Sequence, residues 1–441
     1  MERFLEGKKR LGYIYKNSEV TVDNITIDGA SILANNSAIS VYEGDLTIEN
    51  TTIENCYTNS WGGAIHSSGN LTIRDSIISN CSAYIGGAIV HDFWGSLILE
   101  NISIRNCSAD EGGGAIYNSG GRAVLENITI ENCLTDNYGG AIVTGPVIDS
   151  DTDTLYRPDL TIKGGRFINN KTSCDNVGSR LYGGGCIWAS EGTLNIYDGE
   201  FIGNTSASRG GCIYQDTALD DDSVINISGG YFEGNTCTNE GYEGSGAVYT
   251  TGSSNDGQLI LSSKVHFCGD AADGTDGIML DGRRKVLISD TLNYPSTVYV
   301  AASEDRVIAE GNGGYILTLE KDIRKIKFVD IGNSGETYYL VLDKANNQIK
   351  LSKTDPGYGC FVTYHSNGAE GTVTDDKKYT DINNTVTVRD AADLSYEGYV
   401  FDSWNTKADG TGESYNPNDT FTITSDTDLY AQWKEVKLLT A

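Results

Sequence analysis

From about residue 20 onward, three short apolar motifs return in a fixed order: a GGAI-type strand, an LTI-type strand, and an IxNC or FxxN strand, with turn residues between them. The first motif runs through Gly62-Gly63-Ala64-Ile65, Gly86-Gly87-Ala88-Ile89, Gly113-Gly114-Ala115-Ile116 and Gly139-Gly140-Ala141-Ile142, and continues in Gly184-Gly185-Cys186-Ile187 and Gly210-Gly211-Cys212-Ile213. The second carries apolar pairs two residues apart, such as Leu46/Ile48, Leu71/Ile73, Leu194/Ile196 and Leu259/Leu261, a spacing that places both members on one face of a strand. The third supplies one core residue per repeat: Ile27, Ile53, Ile78, Ile104 and Ile130, then Phe167, Phe201 and Phe232, and finally Val265.

Repeats begin 24 to 27 residues apart over the first half, enough for three short strands and their turns. One such repeat cannot bury its own apolar face, so successive coils must stack in parallel register about 4.8 Å apart. Parallel crossovers are right-handed in almost all cases. The expected fold is therefore all-β: a right-handed parallel β-helix with three strands per coil, over residues 20–353.

Two polar columns follow from the period. Asn24, Asn50, Asp75, Asn101, Asn127, Gly164, Asp198 and Gly229 share a position two residues after the LTI strand and share tolerance of left-handed backbone, which marks a tight turn. Asn55, Asn80, Asn106, Asn132, Asn170, Asn204 and Asn235 read as one ladder of stacked carboxamides. Beside it, Cys56, Cys81, Cys107 and Cys133 recur in four coils and read as small buried hydrophobes rather than as disulfides or metal ligands.

Insertions, among them VTGPVIDSDTDTLYRPD, KTSCDNVGSRLY, QDTALDDDS and TCTNEGYEG, lengthen the later repeats at two of the three corners. From about Val286 to Lys353 the period blurs into irregular last coils and a cap. Residues 354–360 form a turn-rich linker, residues 361–434 a small separate module, residues 1–19 an entry segment and residues 435–441 a tail.

The alternating GGAI and FxxN motifs resemble the repeats of polymorphic outer membrane proteins, β-helical surface proteins, although the early coils carry IxNC where that pattern has FxxN. Residues 361–434 resemble the internalin B-repeat-like module, or Listeria/Bacteroides repeat, through VTYHSNGAEGTVT, YEGYVFDSWNTKADGTGESYNPNDTFTI and DTDLYAQW. That resemblance implies a small β-grasp-like module and an extracellular or cell-wall-associated setting. Neither family brings a catalytic residue. The N-terminus lacks the apolar core of a secretory signal and no anchor is evident, so the expectation is a fragment of a cell-envelope protein.

The 32 Lys and Arg against 61 Asp and Glu give a formal net charge of −29, which repels nucleic acid and anionic lipid, and no apolar run is long enough to insert into a membrane. The expected partner is a host or environmental glycan or protein at the cell surface. The residue after the GGAI-type strand is His66, Tyr117, Trp188, Tyr214 or Tyr249 in five coils, opposite the inward Ile, so these are expected to form a solvent-facing ligand-binding ladder centred on Trp188 and Tyr214. No catalysis is expected. The alternatives are a carbohydrate-active β-helix enzyme, a polysaccharide lyase or glycoside hydrolase, which would need converging carboxylates, and a passive stalk. No cofactor is implied beyond a weak Ca²⁺ candidate, Asp149, Asp151 and Asp153, whose spacing opens like a Ca²⁺ loop but lacks its glycine and its closing glutamate.

Overall fold

The computed structural model describes residues 12–436, apart from Trp94 and segments 150–151, 174–182, 217–222, 239–245, 252–257, 269–276, 282–283, 295, 319–321, 332–334, 355, 357–358, 380–383 and 424–425. Three long parallel sheets wind around one interior. Among the described residues the first sheet has twelve strands, from Gly12–Ile14 to Ile326–Asp330, and the third has eight, from Leu33–Ala34 to Thr236–Cys237. Register is strict in the first half: Ile39 lies opposite Ile65, Ile65 opposite Ile89, Ile89 opposite Ile116 and Ile116 opposite Ile142. The chain is thus a parallel β-helix whose coils pass through three sheets.

The paired glycines have two separate jobs. Gly62, Gly86, Gly113, Gly139, Gly184 and Gly210 take φ between 60° and 72°, a left-handed turn into the first sheet. The second glycine of each pair makes room for the next coil: a Cβ on Gly114 would run into the carbonyl oxygen of Gly140, and one on Gly185 into that of Gly211.

In the second sheet the early coils use two short strands, such as Asp45–Glu49 and Thr52–Glu54, broken where Asn24, Asn50, Asp75, Asn101 and Asn127 take φ between 47° and 54°. Later coils replace the pair with one ten-residue strand, Asp159–Ile168, Thr193–Ile202, Val224–Glu233 or Gln258–Phe267. The expected turn at Asp198 and Gly229 is corrected accordingly. Positive φ falls one residue later, at Gly199 (142°) and Gly230 (125°), where glycine lets the strand bend without stopping.

The interior follows the third motif. Phe167, Phe201 and Phe232 stack with centroids 4.7 Å apart and planes within 6°. Phe267, not Val265, continues the column, since it pairs with Phe232 and Val265 pairs with Gly230. The expected single asparagine ladder divides in two. Asn55, Asn80, Asn106 and Asn132 are left-handed corner residues that face outward, with Asn80 donating to Asn55 at 3.5 Å and Asn106 to Asn80 at 3.4 Å. Asn170, Asn204 and Asn235 are fully buried and take over the inward place of the cysteines: the Cys133 amide donates to Asn170 Oδ1 at 3.0 Å, and Leu134 pairs with Lys171. The four thiols and three carboxamides therefore form one inner column, and the fourth letters of IxNC and FxxN are equivalent. Cys56, Cys81, Cys107 and Cys133 are free thiols.

At the far end the parallel order stops. Val307–Gly311 pairs antiparallel with Gln348–Ser352, which pairs antiparallel with Tyr339–Asp343, and Leu342, Ile349 and Leu351 close the core. Residues 361–435 carry a separate core around Trp404, whose indole Nε1 donates to the Arg389 carbonyl at 2.9 Å. There Thr427–Glu435 runs parallel to Val362–His365 and antiparallel to Tyr399–Asn405.

Candidate functional site

The five residues of the expected ladder do share one column. His66 lies opposite Val90, Val90 opposite Tyr117, Tyr117 opposite Val143, Val143 opposite Trp188, Trp188 opposite Tyr214 and Tyr214 opposite Tyr249. Solvent does not reach all of it. Tyr214 is 0% exposed and Tyr249 3%, so the expectation of a solvent-facing ladder is corrected for these two; His66, Tyr117 and Trp188 are half-buried.

The cover comes from the segment just before each glycine pair, which turns back over the outer side of the first sheet. Its column reads Trp61, Ile85, Gly112, Tyr138, Gly183 and Arg209, joined by bridges from Trp61 to Ile85, Gly112 to Tyr138 and Tyr138 to Gly183. A Cβ on Gly183 would stand 3.1 Å from Tyr214 Cγ, and the Arg209 guanidinium lies 5.4 Å from the Tyr249 ring centroid. Tyr214, Tyr249, Met279 and Tyr299 thereby form a second apolar cluster outside the main core, with Trp188 and Val329 packed against it. Asp281 accepts from the Tyr249 hydroxyl at 3.1 Å and Arg284 donates to the Thr251 carbonyl at 3.0 Å, closing this end with polar groups. Burial pushes the Tyr214 and Tyr249 phenols up, so both stay protonated hydrogen-bonding groups.

Toward the N-terminal coils the same corner opens. Trp61 is 44% exposed and Tyr84 46%. Trp61 meets His66 edge-on at 5.4 Å, and Tyr138 packs against Trp188 at 5.2 Å. Between them Glu111 accepts from Asn137 Nδ2 at 3.1 Å and from the Tyr138 hydroxyl at 3.4 Å. Burial, with Tyr117 and Glu111 adding to it, pushes the Tyr138 phenol up. Trp61, Tyr84 and Tyr138 were not singled out by the sequence reading. The signal was present in the letter before each glycine pair, which is Trp61 or Tyr138 in two coils.

His66 and Asp92 make a hydrogen-bonded pair at 2.9 Å on this face. His91 is buried inside the solenoid, where its Nδ1 meets Asn118 Oδ1 at 2.9 Å, and desolvation lowers its pKa.

For the Ca²⁺ candidate, Asp149 ends one strand of an antiparallel hairpin, Val147–Asp149 with Thr154–Tyr156, and accepts from the Thr152 hydroxyl at 2.9 Å. Asp153 takes φ 52° in its turn, and Asp151 lies outside the described residues. Among the described residues no group of three or more His, Cys, Asp or Glu side chains is placed to hold a metal ion.

On the second sheet some outward carboxylates face a cation, while others lie opposite a second carboxylate, as Glu100 does Glu126 and Asp23 does Glu49. Arg74 bridges Glu100 at 3.0 Å and Glu49 at 3.5 Å, and Arg166 meets Glu200 at 2.8 Å. The carboxyls whose titration the fold displaces, Glu310, Asp343, Asp375 and Asp409, all move down. Burial opposes this at Glu310 and Asp375, where hydrogen bonds led by Lys285 and Tyr379 outweigh it, while Asn346 and Thr411 hold the other two.

Known proteins add information for short stretches. A stretch of 50 residues is 48% identical to a protein of Evansella cellulosilytica named as a "Putative Gly-rich membrane protein", covering 11% of this chain and 6% of that one, so the chain spans a small fraction of the relative it matches. No solved structure matches the chain at a significant level. Residues 361–432 match the family model of the Listeria-Bacteroides repeat domain, so the C-terminal module is similar to that domain, while the solenoid is placed by its architecture alone.

Proposed function

We propose that this is a surface-associated bacterial binding protein, whose β-helix presents a ligand-binding corner and carries out no catalysis. The observation that carries this reading is the partly exposed aromatic stripe at Trp61, Tyr84, Tyr138 and Trp188 on the outer corner of the solenoid. Trp61 and Tyr84 are large rings left nearly half exposed on a rigid stack, and exposed aromatic groups of this kind mark interaction sites. The Listeria-Bacteroides repeat match and the membrane-protein name of the Evansella cellulosilytica relative support placement at the cell envelope. The net charge of −29 disfavours nucleic acid as the partner.

The enzyme reading would need a carboxyl held protonated to act as general acid, whereas Glu310, Asp343, Asp375 and Asp409, among the described residues, are displaced the other way. The test is an array of glycans and host-matrix proteins probed with the full chain and with a Trp61→Ala/Tyr84→Ala variant. Binding to some member, lost in the variant at unchanged melting temperature, is the expected result. A chain that binds nothing supports the stalk instead, and release of new sugar ends from any polysaccharide overturns the non-catalytic reading.

A further inference from the structure

We infer that the occupant of the aromatic corner is an uncharged glycan chain lying along the solenoid axis; this rests on the binding reading above. The segment beneath the stripe is hydrogen-bonded from coil to coil: Gly62 N donates to the Ile85 carbonyl, Gly86 N to Gly112, Gly113 N to Tyr138, Gly139 N to Gly183 and Gly184 N to Arg209, at 2.8–3.1 Å. Strand addition, the main route by which a sheet takes an extended peptide, is therefore closed here. Recognition falls to side chains.

Those side chains are rings. Trp61 and Tyr84 sit on successive coils, about 4.8 Å apart along the axis, and Tyr138 and Trp188 follow beyond the coil of Gly112, so the apolar faces are spread along the axis instead of gathered in a single pocket. Sugar rings present flat C–H faces that stack on such rings, and their hydroxyls need acceptors and donors at the edge. Glu111 and Asn137 supply both, set between Tyr138 and its neighbours, and His66 adds a ring nitrogen at the Trp61 end.

Charge selects among glycans. Among the described residues, Glu111 lies beside Tyr138 and the His66–Asp92 pair beside Trp61, on a chain of net charge −29. A polymer bearing carboxylates or sulfates would meet like charge at short range and across the surface. Neutral hexose or N-acetylated polymers meet none.

The experiment is affinity electrophoresis of the full chain in native gels containing xylan, β-1,3-glucan, β-1,4-glucan, mannan or glycol chitin in its N-acetylated form, beside gels containing polygalacturonate or alginate. Trp61→Ala/Tyr84→Ala changes two exposed side chains, and a melting curve checks that it folds. The expected result is retardation by at least one neutral polymer, weakened about tenfold or more in the variant, with no retardation by the polyuronates. Retardation by polyuronates that the variant abolishes would overturn the uncharged-glycan inference and leave the binding reading standing. Neutral-polymer retardation that ignores the variant would remove the stripe from both. No retardation by any neutral polymer overturns the inference, and the protein arm of the array then decides the broader reading.

Discussion

Asn204 shows how much one inward side chain can carry in this solenoid. Its Nδ2 donates to the Phe167 carbonyl at 3.0 Å and to Asn235 Oδ1 at 2.9 Å, and its Oδ1 accepts from Asn170 N and Nδ2 at 3.0 Å each. Asn204→Ala strands these buried partners and should cost at least about 3 kcal/mol in urea unfolding, at about 1–3 kcal/mol for each unsatisfied group. Cys107→Ala, in the same inner column, removes one sulfur from an apolar lining and should cost nearer 1 kcal/mol. Equal losses would show that the carboxamides are not the stronger link. The sequence made the recurrence of Asn plain, yet could not separate outward corner residues from inward ones, because IxNC and FxxN both contain Asn one position apart. His91 gives a second residue-level outcome. Desolvation, with a smaller push in the same direction from His66, holds its pKa below the usual value of about 6.5, against Asn118 and Asp92. Above pH 7 the ring is neutral in both folded and unfolded chains and stability is unaffected. As pH falls below about 6.5 the unfolded chain takes up the proton first, so stability drops. Melting temperature should therefore decline from pH 7 to pH 5, and His91→Gln should flatten that decline; an unchanged slope would assign the acid limb elsewhere.

Among elements, the glycine pair sets the geometry of every early coil. Gly113 needs its left-handed φ of 66°, so Gly113→Ala should cost about 1–2 kcal/mol of backbone strain. Gly114 faces the Gly140 carbonyl, and an added methyl must push two coils apart, so Gly114→Ala should cost about 3 kcal/mol, at the upper end for overpacking. Denaturant titration of the two variants orders these effects, and a milder Gly114→Ala would mean the coils have slack. The same element explains why the column expected to face solvent is covered at Tyr214 and Tyr249. Strand alternation correctly set the His66 to Tyr249 column on the outside of the sheet. Outside the sheet is not outside the molecule, however, because the return through the first glycine folds Tyr138, Gly183 and Arg209 across it. Period alone gives the direction of a side chain and says nothing of what the next turn lays over it.

For the whole molecule, the main consequence is two cores that share no buried apolar residue, one running through the solenoid to Leu351 and one centred on Trp404. The three-motif period and the VTYHSNGAEG to DTDLYAQW signature made both units legible in the sequence. The closing antiparallel strands at residues 339–352 were less so, since a strand's direction leaves no mark in its own residues. Separate cores unfold as separate cooperative units unless an extensive interface couples them. Trp404→Ala provides the test in the intact chain. It removes a fully buried indole and its hydrogen bond to Arg389, a loss of about 3–5 kcal/mol, against a total of about 5–10 kcal/mol for a module of this size. Calorimetry should resolve two transitions in the parent chain. The substitution should move the smaller one down by ten degrees or more, and leave the larger solenoid transition within about one degree. A common shift of both would show that the module and the solenoid stand or fall together, and that the C-terminal unit caps the helix instead of hanging from it.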